Sequence, residues 1–357
     1  MRILQLTHQG DIGGSTNSIT WLTRGLARRG HEVHLACRPE SLLASRFTDG
    51  SVRRVDMRLG RGPSLIAAAR HWKRWMEEHD IEVANAHASL DRRVLSYARL
   101  LGLRSRVVHT RRNVALSSGG VLRSRFDAAT TDAIIAVSEN VAAGMRRRGM
   151  PGDHVRVIRN GLPLDEVAQP DPSRVERLRG ELGLRPGVPV AGTMARRKSQ
   201  EELLAAAARL PFPLEIVFAG FEADDAIRRA AAELPDRVTW RCLGFRDDVA
   251  DLTGLLDVFV LPSTIEGFSL ALLEAMVRAR PCIASDAGGN AEALAEGAGL
   301  IVPPGDVPAL AAALESVLSS PERGRELGER AHVRATTEYD VERTVDRTES
   351  LYRELVA

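Results

Sequence analysis

The sequence lacks any long apolar run. No stretch of its 357 residues approaches the roughly 18 consecutive apolar residues that a transmembrane helix requires. The opening MRILQLTHQGDIGG also lacks the basic start, long apolar core and small-residue cleavage site of a secretory signal peptide. We therefore expect a cytoplasmic protein that does not span a membrane.

Cysteine and lysine are both scarce. The three cysteines, Cys37, Cys242 and Cys282, lie far apart without C-x-x-C spacing, which argues against a disulfide framework and against a zinc site. Only Lys73 and Lys198 are lysines among the 49 basic residues, and the others are arginines. Each lysine is therefore a candidate for a specific role.

The small net charge of +2 conceals two oppositely charged halves. Residues 1–165 contain 27 basic and 15 acidic residues, a net charge of +12, whereas residues 166–357 carry −10. A basic half suggests an anionic partner such as phosphate groups, lipid head groups or nucleic acid, although a basic surface can also simply be solvated.

Strand-like runs alternate with helical patterns along the whole chain, which is typical of βαβ units and parallel sheets. The predicted strands are 2–6, 31–36, 51–55, 81–86, 106–110, 133–138, 155–158, 188–194, 214–220, 237–243, 258–262, 281–285 and 299–303. Residues 163–189 have prolines at both ends and are the predicted linker, and 306–355 are predicted to be helical. The sequence thus predicts two α/β domains, 1–165 and 166–357, with the last helix crossing back over the linker.

A glycine-rich turn, Gly10-Asp11-Ile12-Gly13-Gly14-Ser15, follows the first predicted strand and leads into a helix. Adjacent glycines allow backbone or phosphate to approach closely, and helix N-termini offer unpaired N–H groups to anions. The turn is not the G-x-G-x-x-G fingerprint of a nicotinamide or flavin site. A plain tight turn explains the same residues, so the glycines alone leave both interpretations open.

The most informative segment is 258–294. A buried strand ends at Pro262, a polar turn carries Glu266, and Glu274 follows in the second turn of a helix. A carboxylate there can accept two hydrogen bonds from a diol such as a ribose, each charge-assisted bond contributing ~1.5–3 kcal/mol. Between the glutamates, the amides of the helix start are free to hold a diphosphate. These amides are the N–H groups of Ser269 and Leu270.

This segment resembles the E-x7-E signature of the retaining glycosyltransferases of family 4, which have the GT-B fold. The following Gly288-Gly289-Asn290-Ala291-Glu292 is similar to that family's G-G-x-x-E element. The other landmarks that fall in the order of the family are Gly13-Gly14, GHEV at 30–33, AVS at 136–138, VIRNG at 157–161, LGFRDDV at 243–249 and LPS at 261–263. The likeness covers nearly the whole chain.

The resemblance implies an α/β architecture of the GT-B type, in which two Rossmann-like domains face each other across a cleft. It implies a retaining, hexosyltransferase-type reaction without a covalent enzyme intermediate. The nucleotide diphosphate sugar would be bound mainly by the second domain and the acceptor by the first. Glu274 is expected to hold the ribose and Glu266 the sugar hydroxyls, with the base beside 243–246. The other expected donor contacts are Gly13, Gly14, Gly244, Phe245, Gly267, Phe268, Ser269 and Leu270.

The family also has a basic cluster after the first strand of the second domain, commonly a lysine followed by glycine with an arginine nearby. Here Lys198 matches and Arg197 or Arg196 supplies the arginine, but Ser199 and Thr193 replace the usual glycine and a frequent arginine. Lys198 and Arg197 are expected to neutralise charge on the diphosphate leaving group, with Arg196 as a further donor contact. No D-x-D sequence occurs. We therefore expect no metal and no cofactor.

Three residues of the first domain are candidates for the acceptor side. His87 matches a frequent family histidine that faces the cleft, although a partly buried histidine at a strand end explains it equally well. Family members commonly have a histidine where this sequence has Arg112. His109 is the alternative to that histidine, or no histidine is needed.

The excess positive charge of the first half predicts an anionic glycan or glycolipid acceptor rather than a nucleic acid. Helix 64–79 has an apolar face with Trp72 and a cationic face with Arg70, Lys73 and Arg74. The apolar face suits packing on the sheet, and the cationic face suits phospholipid or lipopolysaccharide phosphates. We expect peripheral attachment at the inner face of a cytoplasmic membrane, in lipopolysaccharide or other envelope glycan synthesis.

Three other functions fit parts of this pattern. A nucleotide-sugar epimerase of similar architecture would share the donor site but need no acceptor. A dinucleotide oxidoreductase is disfavoured because its glycine fingerprint is missing. A non-catalytic GT-B-like partner protein would explain Thr193, Ser199 and Arg112, the departures from the family pattern.

Overall fold

The structure, a computed structural model, describes residues 1–57, 64–113 and 120–357. The chain forms two compact units, one made of Met1–Gly161 with Val341–Ala357 and the other of Leu162–Asp340. The division falls after Gly161, where the sequence predicts a boundary after residue 165. The last helix belongs to the first unit.

The first unit is a parallel sheet with helices on both faces. Its strands are Arg2–Leu6 (β1), Glu32–Cys37 (β2), Arg53–Asp56 (β3), Val83–Ala86 (β4), Arg106–Arg111 (β5), Ala133–Ala136 (β6) and Val155–Val157 (β7). Its helices are Gly14–Arg28 (α1), Leu42–Ser45 (α2), Ser64–Glu78 (α3), Ser89–Leu100 (α4), Gly120–Thr130 (α5), Glu139–Arg146 (α6) and Val341–Val356 (α15).

The strand order of this sheet is β3-β2-β1-β4-β5-β6-β7, and every pair is parallel. Because successive side chains of a strand point to opposite faces, Val108 packs with α1 and α15 while Val107 packs with α3 and α4. The order reverses between β1 and β4. The loops after these two strands therefore open at a switch point, where α/β folds bind ligands.

The second unit is also a doubly covered parallel sheet. Its strands are Val190–Met194 (β8), Leu214–Ala219 (β9), Val238–Cys242 (β10), Val258–Leu261 (β11), Cys282–Ser285 (β12) and Leu300–Val302 (β13). Its helices are Pro172–Glu181 (α7), Glu201–Ala207 (α8), Asp225–Ala232 (α9), Val249–Gly254 (α10), Leu270–Val277 (α11), Asn290–Ala293 (α12), Val307–Leu318 (α13) and Pro321–Glu338 (α14).

The strand order of the second sheet is β10-β9-β8-β11-β12-β13, again entirely parallel. The order reverses between β8 and β11, and the loops after these strands begin side by side at the carboxyl edge. These loops contain Lys198 and Glu266. The predicted parallel α/β architecture and the thirteen predicted strands are confirmed in the described residues, as is the helical segment 306–355.

Residues 163–189, the predicted linker, lie within the second unit and contain α7. The carboxylate of Asp171 accepts hydrogen bonds from the backbone N–H groups of Ser173 and Arg174, and Pro172 is the first helical residue. The polar and proline-rich composition thus starts a helix here, because aspartate and proline suit an N-cap and the first helical turn. In the described chain, no helix has the length and apolarity needed to cross a bilayer.

Candidate functional site

Two predicted site residues form an ion pair at the switch point of the second unit. Lys198 Nζ lies 2.9 Å from Glu266 Oε1, and Ser263 Oγ donates to the same oxygen at 3.0 Å. The Glu266 side chain is only 10% exposed. The ammonium and the hydroxyl together hold one carboxylate oxygen of Glu266, which leaves Oε2 without a hydrogen-bond partner in the part of the chain that the structure describes.

The helix N-terminus next to this pair is well formed. Ser269 is the N-cap of α11, and its Oγ accepts a hydrogen bond from the N–H of Leu272. The N–H groups of the first helical turn have no carbonyl partner within the helix and carry a partial positive charge. Gly267 and Phe268 are buried beneath the turn. The loop and α11 therefore combine a lysine, a carboxylate and free amides, a combination that suits a phosphorylated ligand.

Glu274 lies half-buried inside α11 without a partner. Its carboxylate makes no hydrogen bond or ion pair with any residue in 1–57, 64–113 or 120–357. Burial raises the pKa of Glu274, and the nearby Arg278 opposes that shift without cancelling it. The Arg278 guanidinium instead donates to the carbonyl oxygens of Ala168 and Glu274. An acceptor group this poorly solvated and unpaired suits hydroxyl donors of a ligand.

The two arginines before Lys198 differ in their surroundings. Arg197 is ion-paired with Asp224 at 2.8 Å and with Glu201 at 2.6 Å, and these carboxylates raise its pKa. Arg196 is exposed, and its guanidinium has no hydrogen bond or ion pair with a described residue. Thr193 is buried and donates to the carbonyl of Val260 at 2.6 Å, so this position contributes packing and no charge.

Gln200 shapes the backbone that presents these basic residues. It is fully buried, its Oε1 accepts from the N–H of Lys198 at 2.7 Å, and its Nε2 donates to the carbonyl of Arg196 at 3.0 Å. One side chain thus closes the turn from 196 to 200. The sequence reasoning missed Gln200, although its place two residues after Lys198 was the available signal.

The G-G-x-x-E element supports the Glu266 loop from behind. Gly288 has a φ of 55°, and a Cβ atom on it would overlap the backbone carbonyl group of Glu266. The next residue, Gly289, donates its N–H to the carbonyl of Gly267 at 2.8 Å. Only glycine at position 288 allows this approach without strain. The glycine pair therefore sets where Glu266 and the start of α11 lie.

A third loop of the second unit follows β10. Gly244 has a φ of 65°, and its carbonyl accepts from the N–H of Gly220 at 2.7 Å. Phe245 next to it is 59% exposed. Arg246 is already paired with Asp248 at 2.5 Å. An exposed aromatic ring on a fixed loop suits stacking against a planar ligand group.

In the first unit, the glycine-rich turn leads directly into α1. The helix begins at Gly14, and the carbonyl of Gly13 accepts from the N–H groups of Thr16 and Asn17. Gly13 and Gly14 thus lie at a helix N-terminus whose first amides lack helical partners.

His87 and Arg112 are in contact after β4 and β5 of the same unit. Arg112 Nη2 donates to His87 Nδ1 at 3.0 Å, so His87 Nε2 carries the proton and donates to Gln5 Oε1 at 2.6 Å. Burial, together with Arg112 and Arg92, holds the pKa of His87 well below its ordinary value. The neutral imidazole therefore has both nitrogens engaged.

The network around His87 continues to the last helix of the chain. Tyr352 of α15 is fully buried, and its hydroxyl accepts from Asn85 at 2.8 Å and from Gln5 at 3.5 Å. Thr110 donates to the side-chain oxygen of Asn85 at 3.0 Å. Burial raises the pKa of Tyr352 to about 12. Helix α15 is thus tied to the carboxyl ends of β1, β4 and β5.

His109 lies apart from this network. It is fully buried on β5, and the alternation of the strand turns it to the face opposite Thr110. The structure therefore places Arg112, and not His109, beside His87.

Comparison with known proteins agrees with the two-unit division of the chain. Residues 12–166 match the family described as Glycosyltransferase Family 4, and residues 185–320 match the family described as Glycosyl transferases group 1. The α-maltose-1-phosphate synthase of Mycolicibacterium smegmatis is 31% identical over 261 residues, which cover 67% of each chain. The chain belongs to glycosyltransferase family 4.

Other family 4 relatives match with lower identity. The N-acetyl-α-D-glucosaminyl L-malate synthase of Bacillus anthracis is 23% identical over 98% of this chain and 96% of its own length. The lipopolysaccharide core biosynthesis glycosyltransferase LpsE of Rhizobium meliloti is 26% identical over 60% of this chain and 62% of its own length.

Solved glycosyltransferases share the GT-B fold with this chain. A glycosyltransferase from Rickettsia africae superposes with a TM-score of 0.87 at 16% identity and covers 99% of this chain and 98% of its own. Anabaena Alr3699/HepE, solved in complex with UDP-glucose, gives 0.83 at 20% identity over 99% and 100%. The predicted family, fold and transferase class are thus confirmed, and the comparisons give no support to an epimerase.

Within this glycosyltransferase, the second unit brings together Lys198, Glu266 and the start of α11, and the first unit brings together His87 and Arg112. The predicted roles of these and the other site residues remain predictions. Ser263 and Gly288, like Gln200, position site residues and were not predicted as site residues. The G-G-x-x-E match was the available signal for Gly288, and the L-P-S match was the signal for Ser263.

Proposed function

We propose that this glycosyltransferase moves a hexose from a nucleotide diphosphate sugar to an anionic envelope glycan or glycolipid, with retention of the anomeric configuration. The observation that carries this proposal is the Lys198–Glu266 pair beside the free amides of α11, with the unpaired carboxylate of Glu274 in the same helix. Because Anabaena Alr3699/HepE, which has the same fold, was solved in complex with UDP-glucose, UDP is the first nucleotide to test.

The chemistry needs a stabilised leaving group. The bond between the anomeric carbon and the diphosphate oxygen breaks, and a bond to the acceptor oxygen forms on the same face of the sugar. The acceptor hydroxyl gives its proton to the departing phosphate oxygen. Lys198 and the first-turn amides of α11 stabilise the negative charge that develops on the diphosphate. Such electrostatic stabilisation is usually the largest single contribution to catalysis.

Arg196 is the arginine best placed to assist Lys198. Its guanidinium is not paired to any described residue, so binding a phosphate would break no existing ion pair. Arg197 would have to leave Asp224 and Glu201. We therefore assign the phosphate contact to Arg196 and a supporting role to Arg197.

Glu274 and Phe245 account for the nucleoside. The Glu274 carboxylate can accept two hydrogen bonds from the vicinal hydroxyls of a ribose, and it has no competing partner among the described residues. Phe245 offers an exposed ring for the base. Glu266, with one oxygen held by Lys198 and Ser263, directs the other toward sugar hydroxyls.

The first unit is assigned to the acceptor. It contains 30 basic and 18 acidic residues, a net charge of +12, while the second unit carries −10. Two of the relatives are named for anionic products, a maltose-1-phosphate and a malate conjugate, and a third is named for lipopolysaccharide core biosynthesis. Since both nitrogens of His87 are engaged, it is not available as a base. This agrees with proton transfer to the leaving phosphate.

Two experiments test the donor and the stereochemistry. UDP, GDP, ADP and TDP are compared by thermal shift, and we expect UDP at 100 times its dissociation constant to stabilise the protein by ~2.7 kcal/mol. The anomeric configuration of the product is then read by proton NMR with the nucleotide sugar identified. No stabilisation by any nucleotide, or a product of inverted configuration, would contradict the proposal.

Metal independence is tested by measuring transfer from the identified nucleotide sugar with and without EDTA. We propose that fixed cations replace Mg²⁺, so EDTA should leave turnover unchanged. Strong inhibition by EDTA that Mg²⁺ or Mn²⁺ reverses would show that a metal takes part. Conversion of the donor to an epimer without transfer would point to the epimerase alternative.

A further inference from the structure

A cluster of arginines lies near the carboxyl end of β5, whose Val107 and Arg111 point to the face that packs with α3 and α4. Arg111 is at the end of β5, Arg92 in the first turn of α4 and Arg123 in the first turn of α5. Arg111 Nη2 is 2.5 Å from Asp127 Oδ2, and Arg123 Nε is 3.0 Å from Asp127 Oδ1. Asp127 is 2% exposed, and it pairs with Arg111 and Arg123 but not with Arg92 in the described chain.

The cluster has more donors than acceptors. Arg92 has no ion pair with any described residue, and the one hydrogen bond of its guanidinium to these residues is a long 3.4 Å contact to the carbonyl of Thr110. In the described chain, the Nε–H groups of Arg92 and Arg111 are buried without a hydrogen-bond partner. Both nitrogens of His109, of which one is a donor in the neutral ring, and the acceptor Asp127 Oδ1 also lack a hydrogen-bond partner. Buried donors in folded proteins almost always have partners, so several together indicate a missing acceptor.

The charge balance of the cluster also indicates a missing anion. Burial and the neighbouring Arg111 lower the pKa of Arg92 to about 9, and burial lowers that of Arg111. Burial and the same arginines hold the pKa of His109 well below its ordinary value, so its imidazole is neutral and keeps one N–H to donate. Asp91 also lies near Arg92, but its carboxylate already accepts from His8 and from the N–H of Ala88. The three arginines therefore outnumber the two nearby carboxylates and repel each other in a poorly solvated place. An added anion would reduce the repulsion among the arginines and supply acceptors for the unpaired donors.

The site is reachable from solvent. The side chain of Arg123 is 39% exposed and that of Arg111 is 16% exposed, so both side chains are partly accessible to solvent. Arginine forks match the oxygens of a phosphate group, with two parallel hydrogen bonds per guanidinium.

We propose that Arg92, Arg111 and Arg123 bind a phosphate monoester group of the acceptor, with His109 donating a further hydrogen bond. This inference rests on the proposed function in one respect, which is that the proposed function identifies the phosphorylated ligand as the acceptor. The group belongs either to a soluble sugar phosphate or to a phosphorylated lipid. The donor is not needed to occupy this cluster, because none of the expected donor contacts is one of these residues.

Binding of ³²P-labelled inorganic phosphate by equilibrium dialysis tests the site. We expect Arg92→Gln and Arg123→Gln to weaken phosphate binding by at least ~10-fold, the loss of one charge-assisted contact. Arg93→Gln and Arg125→Gln are the matched controls, because they remove the same charge from exposed neighbours on the same helices. The controls should stay within about twofold of wild type.

Two further comparisons separate this site from phosphate binding in the second unit and from a structural role of Arg92. Phosphate bound in the second unit would be lost in Lys198→Ala and kept in Arg92→Gln, the reverse of the result expected for the cluster. Thermal unfolding without phosphate should show Arg92→Gln at least as stable as wild type, since it removes repulsion. A melting temperature several degrees lower, with unchanged phosphate affinity, would assign Arg92 a structural role and overturn the inference.

Competition identifies the source of the phosphate group. Glucose 1-phosphate displaces the label if the acceptor is a soluble sugar phosphate, and phosphatidic acid vesicles displace it if the acceptor is a lipid. If neither competes, or wild type binds no phosphate, the inference fails. UDP stabilisation of the same protein preparations would then still support the proposed function, so the two failures are distinguishable.

Discussion

Glu274 carries an unfavourably placed carboxylate when no ligand is bound. Its carboxylate is half-buried and unpaired among the described residues, and burial raises its pKa above the ordinary 4.5. A carboxyl group with a raised folded-state pKa stabilises the fold only at low pH. That contribution is lost as the pH rises through the raised pKa. At neutral pH the ionised Glu274 therefore costs stability, which a bound diol would restore.

Replacing Glu274 with glutamine should separate stability from binding. We expect Glu274→Gln to weaken nucleotide binding by roughly 10- to 100-fold, the loss of one or two charge-assisted bonds, while the unliganded variant melts at a higher temperature at pH 7. Wild-type affinity should fall as the pH is lowered through the raised pKa of Glu274. The variant should lack that dependence.

Glu315→Gln on the exposed side of α13 is the matched control, since it removes the same charge from a solvated position. Calorimetric titration with UDP and thermal unfolding measure both effects. Equal nucleotide affinity of wild type and Glu274→Gln across the pH range would remove Glu274 from the donor site.

The basic cluster before α8 allows a second test at the residue scale. Lys198→Ala should lower turnover by on the order of 10²–10³, as for removal of one preorganised electrostatic contact. Arg196→Ala should also lower turnover, because its guanidinium is free for phosphate. Arg197→Ala should mainly lower the melting temperature, because it leaves Asp224 and Glu201 unpaired.

Steady-state turnover at saturating donor is the measurement, with Arg209→Ala as an exposed control on the same unit. Should Arg197→Ala lose turnover at an unchanged melting temperature while Arg196→Ala behaves as wild type, the two assignments would have to be exchanged.

Among the elements, the contact between the Gly288–Gly289 turn and the Glu266 loop controls the donor site. The turn after β12 supports the loop after β11, and the two strands pair in parallel. A Cβ atom at position 288 would push the carbonyl of Glu266, so the loop would shift as a body with its lysine contact. Misplacement of a reacting group by 1 Å can cost about 10² in rate.

We therefore expect Gly288→Ala to lower turnover by on the order of 10²-fold. Gly187→Ala is the control, because Gly187 has a similar positive φ of 72° and a Cβ atom there would meet no other atom within 4 Å. Backbone strain alone is thus matched between the two variants. If both lowered melting temperature and turnover equally, the contact with Glu266 would have no specific role.

The sequence predicted the strands because buried parallel strands read as apolar runs between helical patterns. It also predicted the loops that bear Lys198 and Glu266. It did not predict their ion pair or the Gly288 contact. Both contacts depend on which strands are neighbours in the sheet. The loop after β11 meets the loops after β8 and β12 because β11 lies between these two strands in the folded sheet.

Side-chain direction was equally beyond the sequence. Arg112 follows the last residue of β5, and its pairing with His87 required the register of β4 and β5. The polar segment at 163–189 was predicted as a linker because aspartate and proline are typical of linkers and of helix starts alike. In the folded chain they start α7.

At the scale of the whole molecule, charge divides between the units. The first carries +12 and the second −10, so an anionic surface attracts the first unit and repels the second. The arginines of α3 belong to the first unit and are not assigned to donor binding. On this helix Ala69, Trp72 and Met76 are buried against the unit, as the sequence predicts for its apolar face.

The outward face of α3 is less cationic than its sequence suggests. Lys73 is held by Glu77 at 2.7 Å, which cancels its charge locally. Arg70 and Arg74 are exposed, and Ile66 is an exposed apolar residue one turn before Arg70. Membrane attraction through α3 therefore depends on two arginines, each contributing ~1 kcal/mol at an anionic surface.

We expect the protein to co-sediment with anionic phosphatidylglycerol vesicles and not with neutral phosphatidylcholine vesicles, and high salt should weaken the binding. The double variant Arg70→Gln/Arg74→Gln should lose ~2 kcal/mol of membrane binding, about 30-fold in affinity. The double variant Arg323→Gln/Arg325→Gln on α14 removes the same charge from the second unit and should bind as wild type. Equal, negligible binding to both kinds of vesicle, together with full activity on a neutral soluble acceptor, would leave the basic surface with no role beyond solvation.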